Sequence, residues 1–170
     1  MNRRLIRDIM LVDPPTISPD ESLGTAGRLM LDSGQRRLPV VDEDGNVVGI
    51  ITDRDLRLAA DSPLLEETPD EILDNLRNHK VREIMTTAVH TIEIDAPIIE
   101  AAQLMRVAKV GGLPVVEYDE TGNEERLVGL ITRSILLDYL ILLLDEMEGT
   151  GAILDEEEST VEGGIEETAS

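Results

Sequence analysis

The chain contains no cysteine, phenylalanine or tryptophan, and its two tyrosines, Tyr118 and Tyr139, are its whole aromatic content. The missing thiols exclude a disulfide framework, thiolate zinc sites and a cysteine nucleophile, and they fit a reducing, cytoplasmic setting. The missing rings mean that any core is built from Leu, Ile, Val and Met. Positive charge is scarce as well, with 15 Lys and Arg against 36 Asp and Glu and a formal net charge of −21 over 170 residues. A surface of that sign repels phosphate backbones at long range, which argues against nucleic acid as a partner and still allows a local basic patch to hold one small anion. Long apolar runs are also absent. A membrane span takes about 20 apolar residues, and the two arginines near the N-terminus precede no hydrophobic segment, so neither a membrane nor an export signal is expected. From Asp145 onward there are ten acids and no base, and residues 149–170 read as an acidic, solvated, disordered tail.

What the chain does contain is a repeat. Shifted by 75 positions, Arg7, Ile9 and Met10 fall on Arg82, Ile84 and Met85, and Thr16-Ile17 falls on Thr91-Ile92. Asp20, Ala26, Leu29 and Met30 fall on Asp95, Ala101, Leu104 and Met105, and Leu38-Pro39-Val40-Val41 falls on Leu113-Pro114-Val115-Val116. Five extra residues in the loop near residues 117–125 then move the offset to 80, where Val48-Gly49, Ile51-Thr52 and Leu56 match Val128-Gly129, Ile131-Thr132 and Leu136. A period this long exceeds that of solenoid repeats, so each copy is a small domain. Domains of 55–60 residues are marginally stable alone, and packing one against the other predicts a pseudo-twofold pair with a cleft between related surfaces.

Each copy reads as β-α-β-β-α, an α/β (α+β) arrangement. In the first, Thr16-Ile17 is extended, Pro19 to Ser22 starts a helix over residues 23–32, and Gly34 stops it. The β-rich runs 38–41 and 47–51 flank Asp42-Glu43-Asp44-Gly45-Asn46, a hairpin signal, and Thr52 opens a helix to Ala60. The expected organisation is a first domain over 1–60, a linker helix within 61–80 starting at Thr68-Pro69-Asp70-Glu71, a second domain over 81–148, and the tail. The last helix, 134–148, has an apolar sector too wide for one buried side, which predicts packing against a partner chain.

Leu-Pro-Val-Val followed by Val-Gly-aliphatic-Ile-Thr, present twice, resembles the CBS domain, and the chain from about Leu5 to Tyr139 is similar to a tandem CBS pair, or Bateman module, of the stand-alone, prokaryotic type. The resemblance implies a regulatory module that binds an adenosine-containing nucleotide (AMP, ADP or ATP, with S-adenosylmethionine or a cyclic dinucleotide as alternatives), forms a homodimer through its helices, and signals to an effector protein. It implies no obligatory cofactor and no catalysis. Gly49-Ile50-Ile51-Thr52-Asp53-Arg54-Asp55 is similar to the family's nucleotide signature, in which Thr52 would contact phosphate or ribose and Asp55 the ribose hydroxyls. The same Thr-x-x-Asp spacing is that of a capping box that merely closes its own helix. Arg36 and Arg37 stand where such domains often place phosphate-binding cations, and Arg54 is a third candidate.

The second copy departs from the pattern, with Gly111-Gly112 in place of the arginine pair and Ile135 in place of the acid. It is expected to supply an adenine wall from Met85, Val89, His90, Thr91, Val110, Gly111, Gly112, Leu113 and Pro114, the glycines admitting a flat base close to the backbone. The mirror site, around Thr16, Ile17, Pro39 and Thr132, is expected to be degenerate. No metal-ligand spacing, phosphate loop or catalytic constellation is present. The rival reading is a structural interaction module whose clefts stay empty.

Overall fold

A computed structural model describes residues 4–60, 69–122 and 125–149. The acidic tail from Thr150 and the start of the linker, Asp61 to Thr68, lie outside the described residues. The chain divides into a unit ending at Leu136 and a second unit that begins at Leu137.

In the first unit, helix α1 (Leu23–Ser33) is capped by Ser22, whose side chain accepts from the Thr25 N–H at 3.1 Å, and it ends at Gly34 with φ +70°. Leu23, Ala26 and Met30 line its buried face. Strands β2 (Arg37–Val41) and β3 (Val47–Thr52) form an antiparallel hairpin, and helix α2 (Asp53–Ala60) follows directly. The turn is closed by Asp42, whose Oδ1 accepts from the N–H groups of Asp44 and Asn46. Helix α3 (Pro69–Asn78) and the single turn α4 (Val81–Ile84) lead into the second repeat.

There the pattern recurs: β4 (Ile92–Glu93), α5 (Ile98–Ala108), β5 (Gly112–Tyr118), β6 (Glu125–Thr132) and α6 (Arg133–Glu148). The registers match. Ile92 pairs in parallel with Val115 as Ile17 bridges Val40, and both hairpins carry an irregularity after the equivalent valine, Val40 and Val115. The mixed α/β pair of β-α-β-β-α repeats expected from the sequence is therefore the observed architecture.

The two leaders are exchanged. Residues 5–12 precede the first repeat in the chain yet belong to the second: β1 (Leu11–Val12) pairs with β6 to complete the sheet β1-β6-β5-β4, and Ile6, fully buried, sits in the second core with Leu113, Val115 and Ile131. Residues 80–86 do the converse. Thr86 exchanges two backbone hydrogen bonds with Ile50 at 2.9 and 3.0 Å, and Val81 is buried in the first core with Leu38, Val40 and Ile51. Each leader also supplies a helix start: Arg4 C=O accepts from Ile98 N–H of α5, and His79 C=O accepts from Leu23 N–H of α1. Matching ion pairs, Arg7 with Asp95 and Arg82 with Asp20, fasten the leaders from outside. Two glycines make the exchange possible, because a Cβ on Gly49 or Gly129 would lie 2.6 or 2.5 Å from the sulfur of Met85 or Met10.

Candidate functional site

A cleft of about 560 Å³ opens between the repeats, lined on one side by Arg37, Ile50, Thr52, Asp53, Arg54, Asp55 and Leu58 and on the other by residues that include Val89, His90, Lys109, Val110, Gly111, Gly112 and Arg133. The fold brings these together because β2 starts and β3 ends at the same rim, where Arg37 is paired with Thr52.

Thr52 and Asp55 form a reciprocal cap. The Asp55 carboxylate accepts from the Thr52 backbone N–H and hydroxyl through one oxygen, Oδ2, both at 2.8 Å, and the Asp55 N–H donates to Thr52 Oγ1 at 3.3 Å. The capping reading of Thr-x-x-Asp thus holds. It leaves the other carboxylate oxygen of Asp55 without a hydrogen bond among the described residues, so capping and ligand binding are compatible.

Arg37 is the electrostatic centre of the cleft. It is half-buried, and its guanidinium has no carboxylate within ion-pair distance and no hydrogen-bond acceptor among the described residues. Burial pulls its pKa below the ordinary arginine value; the Asp53 charge opposes that shift and the Arg133 charge adds to it. A buried cation without a paired anion is costly, and a bound anion relieves that cost. Arg36, one residue before β2, is not among the residues that line the cleft. Its side chain is 81% exposed and stands 3.8 Å from Asp53, which Arg57 also contacts at 3.0 Å.

The glycines act differently from the expectation. A Cβ on Gly111 would lie 2.5 Å from Nη1 of Arg37, and one on Gly112 would lie 2.7 Å from its Cδ. Arg37 lies across the bare backbone of the second repeat, in the space that the sequence suggests for a flat base. The remaining wall candidates are distributed. Met85 packs on Gly49 and the first core, Leu113 and Pro114 are buried behind the rim, and Thr91 lines a separate groove along α5 with Glu93, Asp95 and Glu100.

At the mirror position, Thr132 Oγ1 accepts from Ile135 N–H at 3.3 Å, a cap without a reciprocal acid. Ile17 and Pro39 are buried, with Ile17 N–H donating to Pro39 C=O, and Thr16 is exposed.

Sequence reasoning missed Lys109 and Arg133. Both were visible in the repeat register: Lys109 replaces the stop glycine Gly34 and adopts the same left-handed conformation, φ 57°, and Arg133 replaces Asp53. Among the described residues no helix is long and apolar enough to cross a membrane.

The CBS domain family model matches residues 6–62 and 81–142. A CBS domain-containing protein of Dictyostelium discoideum is 50% identical over 141 residues, which cover 83% of this chain and 94% of that protein. An inosine-5′-monophosphate dehydrogenase of Methanocaldococcus jannaschii is 34% identical over 130 residues, but the match takes in only 22% of that enzyme and 76% of this chain. Among solved structures, the CBS domain pair of protein MJ0100, in complex with 5′-methylthioadenosine and S-adenosyl-L-methionine, superposes with a TM-score of 0.64 at 26% identity, covering 84% of this chain and 99% of that one. The CBS domain of a CBS domain-containing membrane protein from Sphaerobacter thermophilus gives 0.66 at 28%, covering 80% and 88%. With both repeats matched, both β-α-β-β-α units built and the leaders exchanged between them, the chain belongs to the CBS domain family as a tandem pair.

Proposed function

We propose that this CBS pair is a regulatory module that binds one adenosine-containing nucleotide per chain in the cleft around Arg37 and passes its occupancy to a partner protein. The observation that carries the reading is the half-buried, unpaired Arg37 guanidinium in a chain of net charge −21. Arg37, with Arg54, takes phosphate; Asp55, held by Thr52, accepts the ribose hydroxyls; Val89, His90 and Val110 border the base. The adenosine moiety common to both ligands of protein MJ0100 supports the base and ribose assignment. The side chains hold a ligand and perform no chemistry on it. The module works in the cytoplasm as a homodimer through its helices, α6 above all.

Mass spectrometry of small molecules released from the purified, denatured protein, followed by thermal shift with the compound found, tests the reading, because a ligand that prefers the native state raises the melting temperature. No adenosine compound released, and none that shifts the melting temperature, leaves the structural module with empty clefts. The Thr52–Asp55 cap, complete without any ligand, favours that rival.

A further inference from the structure

We infer that the cleft is a two-sided cationic clamp for a chain of two or more phosphates, with Arg37 of the first repeat and Arg133 and Lys109 of the second closing on it. This rests on the nucleotide reading for the ligand's base and ribose, but its own footing is the charge arrangement. Four cations line the cleft, Arg37, Arg54, Lys109 and Arg133, against two acids, Asp53 and Asp55. Asp53 is shared with Arg36 and Arg57, whereas Asp55 is held by Thr52 through one oxygen and keeps the other for ribose. The second repeat departs from the first at the two positions that add charge here. Arg133 stands in register with Asp53, and Lys109 occupies a left-handed helix end that Gly34 fills in the first repeat without strain. Arg37 and Arg133 repel one another, and a chain of phosphates offers an anionic partner to more than one of the lining cations where a single phosphate offers fewer. A sulfonium nucleoside brings a positive charge to the same place and is disfavoured.

Calorimetric titration with adenosine, AMP, ADP, ATP, S-adenosylmethionine and inorganic tripolyphosphate tests this on the full chain. Affinity is expected to rise with phosphate number, ATP binding about tenfold or more tighter than AMP and S-adenosylmethionine weakest. Arg133→Gln should collapse the ATP-to-AMP ratio toward unity while leaving adenosine affinity unchanged, with unchanged circular dichroism and melting temperature in the absence of ligand. Equal affinity for AMP and ATP, an unchanged ratio in Arg133→Gln, or S-adenosylmethionine binding as tightly as ATP overturns the clamp and leaves the nucleotide site standing. Tripolyphosphate bound through Arg37 and Arg133 with no adenosine compound bound supports the clamp and overturns the nucleotide reading. No binding by any probe overturns both.

Discussion

Asp55 carries two duties that mutation can separate. Asp55→Ala is expected to weaken nucleotide binding by roughly tenfold or more, since charge-assisted hydrogen bonds are worth about 1.5–3 kcal/mol each. Thr52→Ala, which removes the N-cap of α2, is expected to cost about 1 kcal/mol of folding stability, read as a lower denaturant midpoint. An Asp55→Ala protein that binds like the parent would show that the pair only caps a helix. Changing Ile135, in the mirror position, should leave affinity untouched. At Gly111 the three atoms nearest to an added Cβ all belong to the flexible end of Arg37. Gly111→Ala should therefore fold normally but displace the guanidinium, and calorimetry should show a greater loss for phosphorylated ligands than for adenosine. Thr52, Asp55 and Arg37 were legible in the sequence because a motif marks them. The resting place of Arg37 was not, since it depends on which backbone faces it across the cleft, a contact between residues 74 positions apart. The cost of missing it was reading Gly111-Gly112 as room for a base.

Helices, hairpins and the turn at Asp42 were also legible, because their signals are local: Ser22 caps, Gly34 stops, and the apolar period switches from that of a helix to that of a strand. The leaders were not. Sequence register assigns residues 5–12 to the repeat they precede, and neighbours in sequence usually do pack together, but nothing in a two-residue strand says which sheet it joins. Their contribution is measurable. Ile6→Ala removes a fully buried side chain from the second core and should cost about 2–5 kcal/mol in chemical denaturation. Acid should loosen the matching fastener on the other leader. The Asp20 carboxyl lies below its ordinary value of 3.8, chiefly through its hydrogen bond from Lys80 and also through Arg82. A carboxyl depressed on folding stabilises fully above its unfolded value and loses that contribution as pH falls through the folded one. The melting temperature of the parent should therefore drop more steeply below pH 3.8 than that of Asp20→Asn, which lacks the titrating group; parallel curves would show that the contact contributes nothing.

For the molecule as a whole, the apolar surface of α6 is the feature in need of a partner. Leu137, Leu140, Ile141, Leu142, Leu144 and Met147 are between 42% and 81% exposed, and large apolar side chains grouped on an exposed helix are the kind of surface that marks an interaction site. Light scattering should find a dimer, and Leu140→Glu with Leu144→Glu should convert it to a monomer that retains its circular dichroism. A parent that is monomeric at tens of micromolar would remove the dimer from the proposal. The exchanged leaders bear on a different event, the birth of the chain. Leu11 and Val12 leave the ribosome more than a hundred residues ahead of their pairing partners, Leu130 and Gly129. The second sheet cannot close until β6 has been made, and Ile6 must wait in water for a core that does not yet exist. Long-range closures of this kind slow folding and prolong the exposure of apolar segments, so the first repeat, whose own borrowed leader follows it within a few tens of residues, is the one that can be complete while its twin is still being made.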